Sequence, residues 1–489
     1  MNFTPVVRST GATQDLLRGI LLLGALVALA FVLALLPLGI AGGATLGAIV
    51  LLLVLARPWL GLPLLLLAIP FGSPFNFQLG GFNLGPTEAL FAVSLAVWLA
   101  HKAVARESAG NQTHRVGIPT IAYLLSFVLF AFALTLTVTH SLPDSLKELV
   151  KWFEVLTLVL LVGRSLTREH VILMLALIFV SGAVESVIGL YQTYTRNGPE
   201  PFFVPLGNQI IMRSYSTFEQ PNPFAAYLNY ALALITALLI SFVFERWSRS
   251  FRSASWLLVL ALGTLPLIGA ALFFSLSRGA WLGYALAFVV MAALQSRRAF
   301  AISSMLVIVA LGVLILGSLN VLPPAIAERL ADLPALLGLN LIDPRAIVLT
   351  NENFALIDRM AHWYAAWNMF VDHPWLGVGI GNFAVMYPAY ALREWPLSLG
   401  HAHNFYLNIL AEAGLIGATF YVLFVLSSIV YAWWTTRHTQ GIDRAIALGI
   451  LGALIATAAH NFFDNLYVHG MNMQMAMLIG TLAVLKREG

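Results

Sequence analysis

Long apolar runs separated by short polar turns constrain the fold of this chain more than any other feature of its sequence. Fourteen such runs recur along 489 residues, and most of them approach the ~20 residues that a helix needs to cross a membrane. The chain is 60% hydrophobic and only 10% charged, whereas soluble domains carry about 25% charged residues. The sequence therefore predicts an all-α polytopic membrane protein of about 14 (12 to 14) transmembrane helices, with residues 1–489 as one integral membrane domain. The predicted helices are Leu17–Leu36, Gly39–Ala56, Leu60–Phe71, Pro86–Val104, Ile118–Val138, Leu146–Gly163, Val171–Tyr194, Phe224–Phe244, Trp256–Leu276, Gly279–Gln295, Ile302–Leu319, Phe405–Trp434, Ile446–Phe463 and Met471–Leu485.

Charge and cysteine content exclude several functions. The chain has no cysteine, which excludes disulfides, thiolate nucleophiles and cysteine-ligated metal centres. Its net charge of +4 is small, and the basic residues lie mostly in short loops, where they set membrane topology rather than bind nucleic acid. With the N-terminus in the cytoplasm, most basic residues fall on the cytoplasmic side. This predicts an uncleaved first helix, both termini in the cytoplasm and membrane lipids as neighbours.

Two loops on the opposite, outer side are longer than turns. Residues 195–223 form the smaller loop and residues 320–403 the larger one. Aromatic residues at helical spacing in Asp358–Phe370 predict an amphipathic helix lying on the membrane. Glycines at 377, 379 and 381 favour a tight turn, and a phosphate-binding backbone nest is left open as the alternative.

Charged groups at the outer face point to chemistry on a lipid diphosphate. Arg213 precedes the helix that Pro221 introduces, and Arg278 lies in a gap between two predicted helices. Either arginine alone suits an anchor to lipid headgroups. Guanidinium groups also bind phosphate oxygens in a two-pronged geometry, and His403 at the entry to the next helix has the residue type of a general base. Together these residues predict a diphosphate site with a base beside it.

Other interpretations of the histidine stretch stay open. His401 and His403 form a His-x-His pair. A zinc site would draw further ligands from the same loop, where no spacing fixes them; the possible ones are His362, Asp372 and His373. The alternative to a general base is that His403 enters the helix and its ring only packs against its neighbours. Glu412 follows His403 by nine residues, which favours a structural hydrogen bond rather than a pair with the histidine. The spacing of about one turn between polar residues near the end of the thirteenth predicted helix predicts either a supporting cluster for the site or a helix cap. These residues are His460, Asn461 and Asp464.

Three stretches resemble the O-antigen ligase and polymerase superfamily of bacterial envelope glycosyltransferases. The resemblance covers roughly residues 150 to 485, including the loop segment from Arg359 to Phe383. Ser216 stands where the superfamily pattern usually has glycine. The matching stretches are His403-Asn404 with Gly414 and Gly417 downstream, the Ser-x-Ser-Arg-Gly-Ala-Trp-x-Gly run at Ser275–Gly283, and Arg213 with Phe218 and Pro221-Asn222.

The resemblance implies a specific activity and a role for each of several residues. It implies a GT-C-like, metal-independent and cofactor-free glycosyltransferase of the bacterial inner membrane that acts at the periplasmic face with inversion. The donor would be a glycan on undecaprenyl diphosphate, and the acceptor a glycolipid such as lipid A core or a growing glycan. In this resemblance His403 activates the acceptor hydroxyl, and Arg213 and Arg278 bind the diphosphate. Accessory candidates are Arg359, His401, Asn404, Glu412 and Asp464.

Within this superfamily the pattern favours O-antigen ligase in lipopolysaccharide assembly. Polymerases and protein O-oligosaccharyltransferases share the same core and remain alternatives. A membrane transporter is a more distant alternative, since many helices also suit carriers, but carriers place polar groups near the bilayer midplane. No nucleic acid partner is expected.

Overall fold

The computed structural model describes residues 38–72, 75, 77–79, 82–108, 120–206, 209–244, 254–318 and 354–488. Within these ranges seven helices are long and apolar enough to cross a membrane, and three apolar helices are shorter. The predicted helix at 17–36 lies outside the described residues, and every other predicted segment coincides with a helix. The all-α polytopic class is therefore confirmed, while the number of crossings stays a prediction. The helices are α1 (Leu38–Ala56), α2 (Gly61–Gly72), α3 (Pro86–Ser108), α4 (Thr120–Leu134), α5 (Leu142–Ser165), α6 (Arg168–Thr195), α7 (Pro221–Phe244), α8 (Ser255–Phe274), α9 (Arg278–Gln295), α10 (Arg297–Ser318), α11 (Phe354–Asp372), α12 (Phe383–Tyr390), α13 (Phe405–His438), α14 (Gly441–His460) and α15 (Met471–Glu488).

Helix α7 lies at the centre of the described bundle. Every residue from Pro223 to Leu238 is buried, and a helix that is apolar and covered on all sides belongs to the interior. It packs against α14, which is itself largely buried, and against α8 and α9. The residues just before α7 are therefore held close to the ends of these three helices.

Helices α9 and α14 approach each other closely because two glycines of α9 have no side chain. A Cβ added at Gly279 would lie 2.6 Å from Cδ2 of His460, and one added at Gly283 would lie 2.6 Å from the carbonyl oxygen of Ala456. Small residues one turn apart allow this kind of backbone approach between membrane helices. The contact fixes the start of α9, where Arg278 lies, against the end of α14.

A methyl group at position 283 is expected to destabilise this contact. Gly283→Ala places Cβ against a backbone carbonyl that cannot rotate away, and overpacking of this kind costs ~1 to 3 kcal/mol. We expect a lower thermal unfolding midpoint in detergent for Gly283→Ala. Gly263→Ala in α8 is the matched control, because nothing lies within 4 Å of its added Cβ. Equal midpoints for the two variants would contradict the close packing of α9 on α14.

Helix α13 is kinked at Gly414, and a loop segment fills the kink. Gly414 has φ 59° and ψ −164°, which breaks the helical backbone. The carbonyl oxygen of Ala411 accepts a hydrogen bond from the N–H of Val378 at 2.9 Å, and the N–H of Leu415 donates to the carbonyl of Pro374 at 2.7 Å. The loop before α12 thus binds the backbone groups that the kink releases, which ties the large loop to the helix that begins just after His403.

The glycine-rich part of this loop is a packed turn. Gly377, Gly379 and Gly381 all have positive φ, and an added Cβ at each would lie within 2.8 Å of a backbone atom of another segment. Only glycine fits where two backbones approach so closely. The turn predicted from sequence is confirmed, and the alternative of a phosphate nest has no room at these glycines.

The amphipathic helix predicted in the large loop forms as α11, and protein covers part of its apolar face. Ala365 and Met369 pack in a buried cluster with Phe383, Tyr387 and Ala402. Trp367 and Val371 of the same helix stay exposed, so the expectation that α11 lies on the membrane stays a prediction. Within the predicted loop 320–403, residues 320–353 lie outside the described ones.

Two short antiparallel hairpins complete the described elements. Strands β1 (Phe77–Leu79) and β2 (Phe82–Leu84) pair with Phe77 opposite Leu84. Strands β3 (Phe203–Leu206) and β4 (Gln209–Met212) pair with Phe203 opposite Met212. The second hairpin lies within the loop predicted at 195–223 and ends directly before Arg213.

Candidate active site

The two arginine stretches identified in the sequence meet in space. Nε of Arg213 donates a 2.8 Å hydrogen bond to the carbonyl of Ser275, which lies between α8 and α9. The N–H of Ser214 donates to the carbonyl of Phe274 at 2.9 Å. The Arg213 segment is therefore fastened to the turn that carries Arg278 at its end.

A polar face of α6 holds the Arg213 segment from behind. One carboxylate oxygen of Glu185 accepts hydrogen bonds from the hydroxyls of Ser216 at 2.5 Å and Thr217 at 2.9 Å. The side-chain amide of Gln192 binds both backbone groups of Ser216, at 2.8 and 3.2 Å. Ser216 has φ 53°, a left-handed conformation that suits the glycine usual at this place in the superfamily. Here the hydrogen bonds of its hydroxyl compensate for the backbone strain.

Sequence reasoning missed Glu185 and Gln192 as supports of this segment. Glu185 is fully buried and lies inside one of the predicted apolar runs. A carboxyl group in a membrane helix is costly and marks a polar partner, so its presence was the signal that could have identified it.

Three arginines line one cavity between the loop and the helix ends. The cavity has a volume of about 160 Å³ and is bordered by Arg213, Arg278 and Arg359. Asn222, Ser277 and His460 supply its other polar lining side chains. The cavity therefore joins the two arginines expected from the sequence to Arg359 of α11, which the sequence suggested only as an accessory residue.

His403 is oriented by a carboxylate on a different segment. Its Nδ1 lies 3.4 Å from Oδ1 of Asp464, which follows α14. Its Nε2 is buried and has no hydrogen-bond partner among the described residues. His403 also has φ 50°, a rare conformation for a residue with a side chain. If Nδ1 carries the proton that faces Asp464, Nε2 has the free electron pair that a general base needs.

Asp464 connects this histidine to the arginine cavity. Its Oδ2 accepts a 2.6 Å hydrogen bond from the side-chain amide of Asn222, whose oxygen accepts a 2.9 Å bond from Arg213. Burial alone raises the pKa of the Asp464 carboxyl, but its hydrogen bond with His403 and the positive charge of Arg359 lower it below its usual range. The carboxylate is therefore ionised and accepts from both neighbours at once.

His401 contacts both members of this pair. Its Nδ1 accepts a 3.1 Å hydrogen bond from the backbone N–H of His403, and its Nε2 lies 3.8 Å from Oδ1 of Asp464. Burial lowers the pKa of His401 to about 4, so its ring is neutral at neutral pH. This position agrees with an orienting role for His401.

Asn404 and Glu412 have structural partners. The side-chain oxygen of Asn404 accepts the N–H groups of Tyr406 and Leu407 at 3.0 and 3.1 Å, which caps the start of α13. One oxygen of Glu412 accepts the N–H of Phe383 at 3.0 Å, the kind of structural hydrogen bond that its spacing predicts. Neither residue lines the arginine cavity.

His401, His403 and Asp464 also form the group of side chains best suited to a metal ion among the described residues. Their potential ligand atoms all lie within 4.8 Å of one another. His362, which the sequence suggested as another ligand, instead directs its ring nitrogens to backbone groups of Asp358 and Leu399.

Two comparisons with known proteins match parts of this chain. The family model described as O-Antigen ligase matches residues 264–422, a segment that contains Arg278, Arg359 and His403. The teichuronic acid biosynthesis protein TuaE of Bacillus subtilis is 29% identical over 132 residues, which is 25% of this chain and 26% of the relative. The match thus spans about a quarter of that relative's length. The matched segment holds one of the two arginines and the histidine on which the resemblance rests, so the comparison supports the resemblance of this chain to the O-antigen ligase superfamily.

Proposed function

We propose that this chain is a GT-C-like glycosyltransferase that moves a glycan from undecaprenyl diphosphate to an acceptor hydroxyl at the periplasmic face of the bacterial inner membrane. The specific activity that we propose is that of an O-antigen ligase in lipopolysaccharide assembly, with an inverting mechanism that requires no metal. The observation that carries the proposal is the continuous link from Arg213 through Asn222 and Asp464 to His403. This link joins a cavity suited to a diphosphate with a histidine suited to be a base.

The arginine cavity supplies what a diphosphate leaving group needs. Three guanidinium groups border about 160 Å³, and such groups stay charged at any working pH and bind phosphate oxygens through paired N–H groups. Negative charge grows on the diphosphate as its bond to the sugar breaks. Fixed positive charge around that position stabilises the transition state more than the bound donor.

The transfer step follows from the free nitrogen of His403. The acceptor hydroxyl gives its proton to Nε2 while its oxygen attacks the anomeric carbon. The bond from that carbon to the diphosphate oxygen breaks, and the diphosphate leaves with the electron pair of that bond. Asp464 accepts the Nδ1–H of the resulting imidazolium and stabilises its charge. Attack opposite the leaving group inverts the anomeric configuration.

One observation favours a second acceptor. The relative from Bacillus subtilis is named for teichuronic acid biosynthesis, which favours a growing glycan as acceptor and a polymerase as the second candidate function. A transporter finds less support, because the charged groups of the site lie before α7, at the start of α9 and next to the ends of α13 and α14.

Deleting the gene and analysing envelope glycans tests the proposal in the cell. Long chains that stay on the carrier lipid and are not transferred to an acceptor indicate a ligase. Single repeat units on the carrier lipid indicate a polymerase. Unchanged glycans would contradict both.

Replacing Arg278 by lysine is expected to impair use of the donor. Lysine keeps the charge but loses the two-pronged contact with phosphate, so we expect kcat/KM for the lipid-linked donor to fall by ~10-fold or more, the loss of one charge-assisted hydrogen bond. Steady-state transfer by purified protein measures this. Arg298→Lys is the matched control, because Arg298 is exposed beyond the far end of α9. Wild-type donor kinetics in Arg278→Lys would remove this arginine from the site.

A further inference from the structure

Three side chains with metal-ligating atoms face one another at the entry to α13. Nε2 of His401 lies 3.8 Å, and Nδ1 of His403 3.4 Å, from the same oxygen of Asp464. All three potential ligand atoms lie within 4.8 Å of one another. Two imidazoles and one carboxylate form a donor set that Zn²⁺ prefers, and three protein ligands leave a coordination position for water.

We propose that His401, His403 and Asp464 bind one divalent transition-metal ion of the zinc type, and that the bound ion reversibly inhibits glycan transfer. The inhibition rests on the proposed function, because it acts through His403 as the base. The binding itself does not depend on that function.

Inhibition follows from which nitrogen of His403 the ion occupies. Nδ1 faces Asp464 and the ion, so ligation places a metal bond where the Nδ1 proton was. A neutral imidazole keeps one ring proton, which then resides on Nε2. A protonated Nε2 has no electron pair to accept the proton of the acceptor hydroxyl. The ion also takes up the Asp464 oxygen that would stabilise the imidazolium.

The geometry makes the binding reversible. Ligands of a tetrahedral zinc ion are ~3.3 Å apart, given bond lengths of about 2.0 to 2.2 Å, so the group must contract by up to ~1.5 Å. His401 and His403 lie in the irregular segment before α13, where side chains can move without breaking a helix. Ligation through Nε2 of His401 also shifts its proton to Nδ1, which costs the hydrogen bond that Nδ1 accepts from the N–H of His403. Both costs lower the affinity below that of a structural zinc site.

Calorimetry and transfer assays on the same purified protein test this proposal. Full-length protein from which any polyhistidine tag has been removed is treated with EDTA, freed of chelator and titrated with ZnCl₂. We expect one ion per chain and a progressive loss of transfer as the site fills. His401→Gln is expected to lower zinc affinity by at least ~10-fold, the lower end of what loss of even an outer partner of a metal site costs. It should raise the half-inhibitory zinc concentration to the same extent, with each variant normalised to its own zinc-free rate. His373→Gln, which removes an exposed histidine of the same loop, should behave like the wild type.

The possible results separate this proposal from the proposed function. Absence of saturable zinc binding, or equal binding by His401→Gln, overturns the metal site. An EDTA-treated protein that is inactive until zinc is restored overturns both the inhibition and the metal-independent mechanism. Zinc binding that requires His401, together with normal transfer by His403→Ala, sustains the metal site but overturns the inhibition and the assignment of the base. Co²⁺, whose visible spectrum reports imidazole ligation, gives a readout of binding that does not involve activity.

Discussion

Replacing His403 by alanine is expected to lower the turnover number for glycan transfer by ~100 to 10,000-fold, the usual contribution of a positioned general base. The cavity between the arginines does not include His403 among its lining residues, so KM for the lipid-linked donor should change little. A fall in kcat at nearly constant donor KM is the signature of a group that acts on the acceptor. Steady-state transfer by purified protein over a range of donor concentrations measures the two quantities separately.

A second substitution removes the objection that the alanine variant is misfolded. His403 has φ 50°, and asparagine tolerates this left-handed conformation better than most residues. His403→Asn should therefore keep the wild-type unfolding midpoint and still lose turnover. His373→Ala, at an exposed position of the same loop, is the control for loss of a histidine. Near-normal transfer by either His403 variant would sink the assignment of the base.

The sequence pointed to candidate site residues but not to how they are assembled. Arg213, Arg278 and His403 stood out because each is a costly polar group beside an apolar helix. Their convergence was inferred from loop topology alone, which places residues on one side of a membrane but sets no distances. The bond from Arg213 to the carbonyl of Ser275 depends on how α7 and α8 pack, and no local pattern encodes that packing.

The role of Asp464 shows the same limit. It lies 61 residues after His403, and its spacing from His460 and Asn461 predicted either a cap or a supporting cluster. Only the packing of α13 beside α14 brings its carboxylate to the imidazole. Local interactions were predicted more successfully: the structural hydrogen bond of Glu412 and the tight turn at the loop glycines both depend on short stretches of chain.

Helix positions were predictable for a physical reason. A helix that crosses lipid must satisfy its backbone groups internally and expose apolar side chains, so each crossing leaves a long apolar run in the sequence. Residues that bury a helix within protein leave no comparable trace. This is why α11 was predicted as a helix while the segment that covers part of its apolar face was not.

Replacing Asp464 by asparagine is expected to reduce turnover by ~100-fold or more, since loss of the orienting carboxylate in a Ser-His-Asp triad costs about 10⁴-fold. Asp464 accepts hydrogen bonds on both oxygens, from His403 and from Asn222. An asparagine has one accepting oxygen and one donating nitrogen, so it can satisfy only one of these donors. Either the ring of His403 loses its orientation, or Asn222 and with it Arg213 shift.

A variant that combines Asp464→Asn with His403→Ala distinguishes an effect of Asp464 through His403 from a general structural effect of Asp464. If Asp464 acts by orienting and stabilising the imidazole, adding Asp464→Asn to His403→Ala should lower turnover little beyond His403→Ala alone, because groups that act as a unit are strongly non-additive. Asp372→Asn, at an exposed position at the end of α11, should leave transfer unchanged and serves as the matched control. If the two effects multiply in the double variant, the carboxylate supports the fold of this region independently of the histidine, and the pairing of Asp464 with His403 has no part in proton transfer.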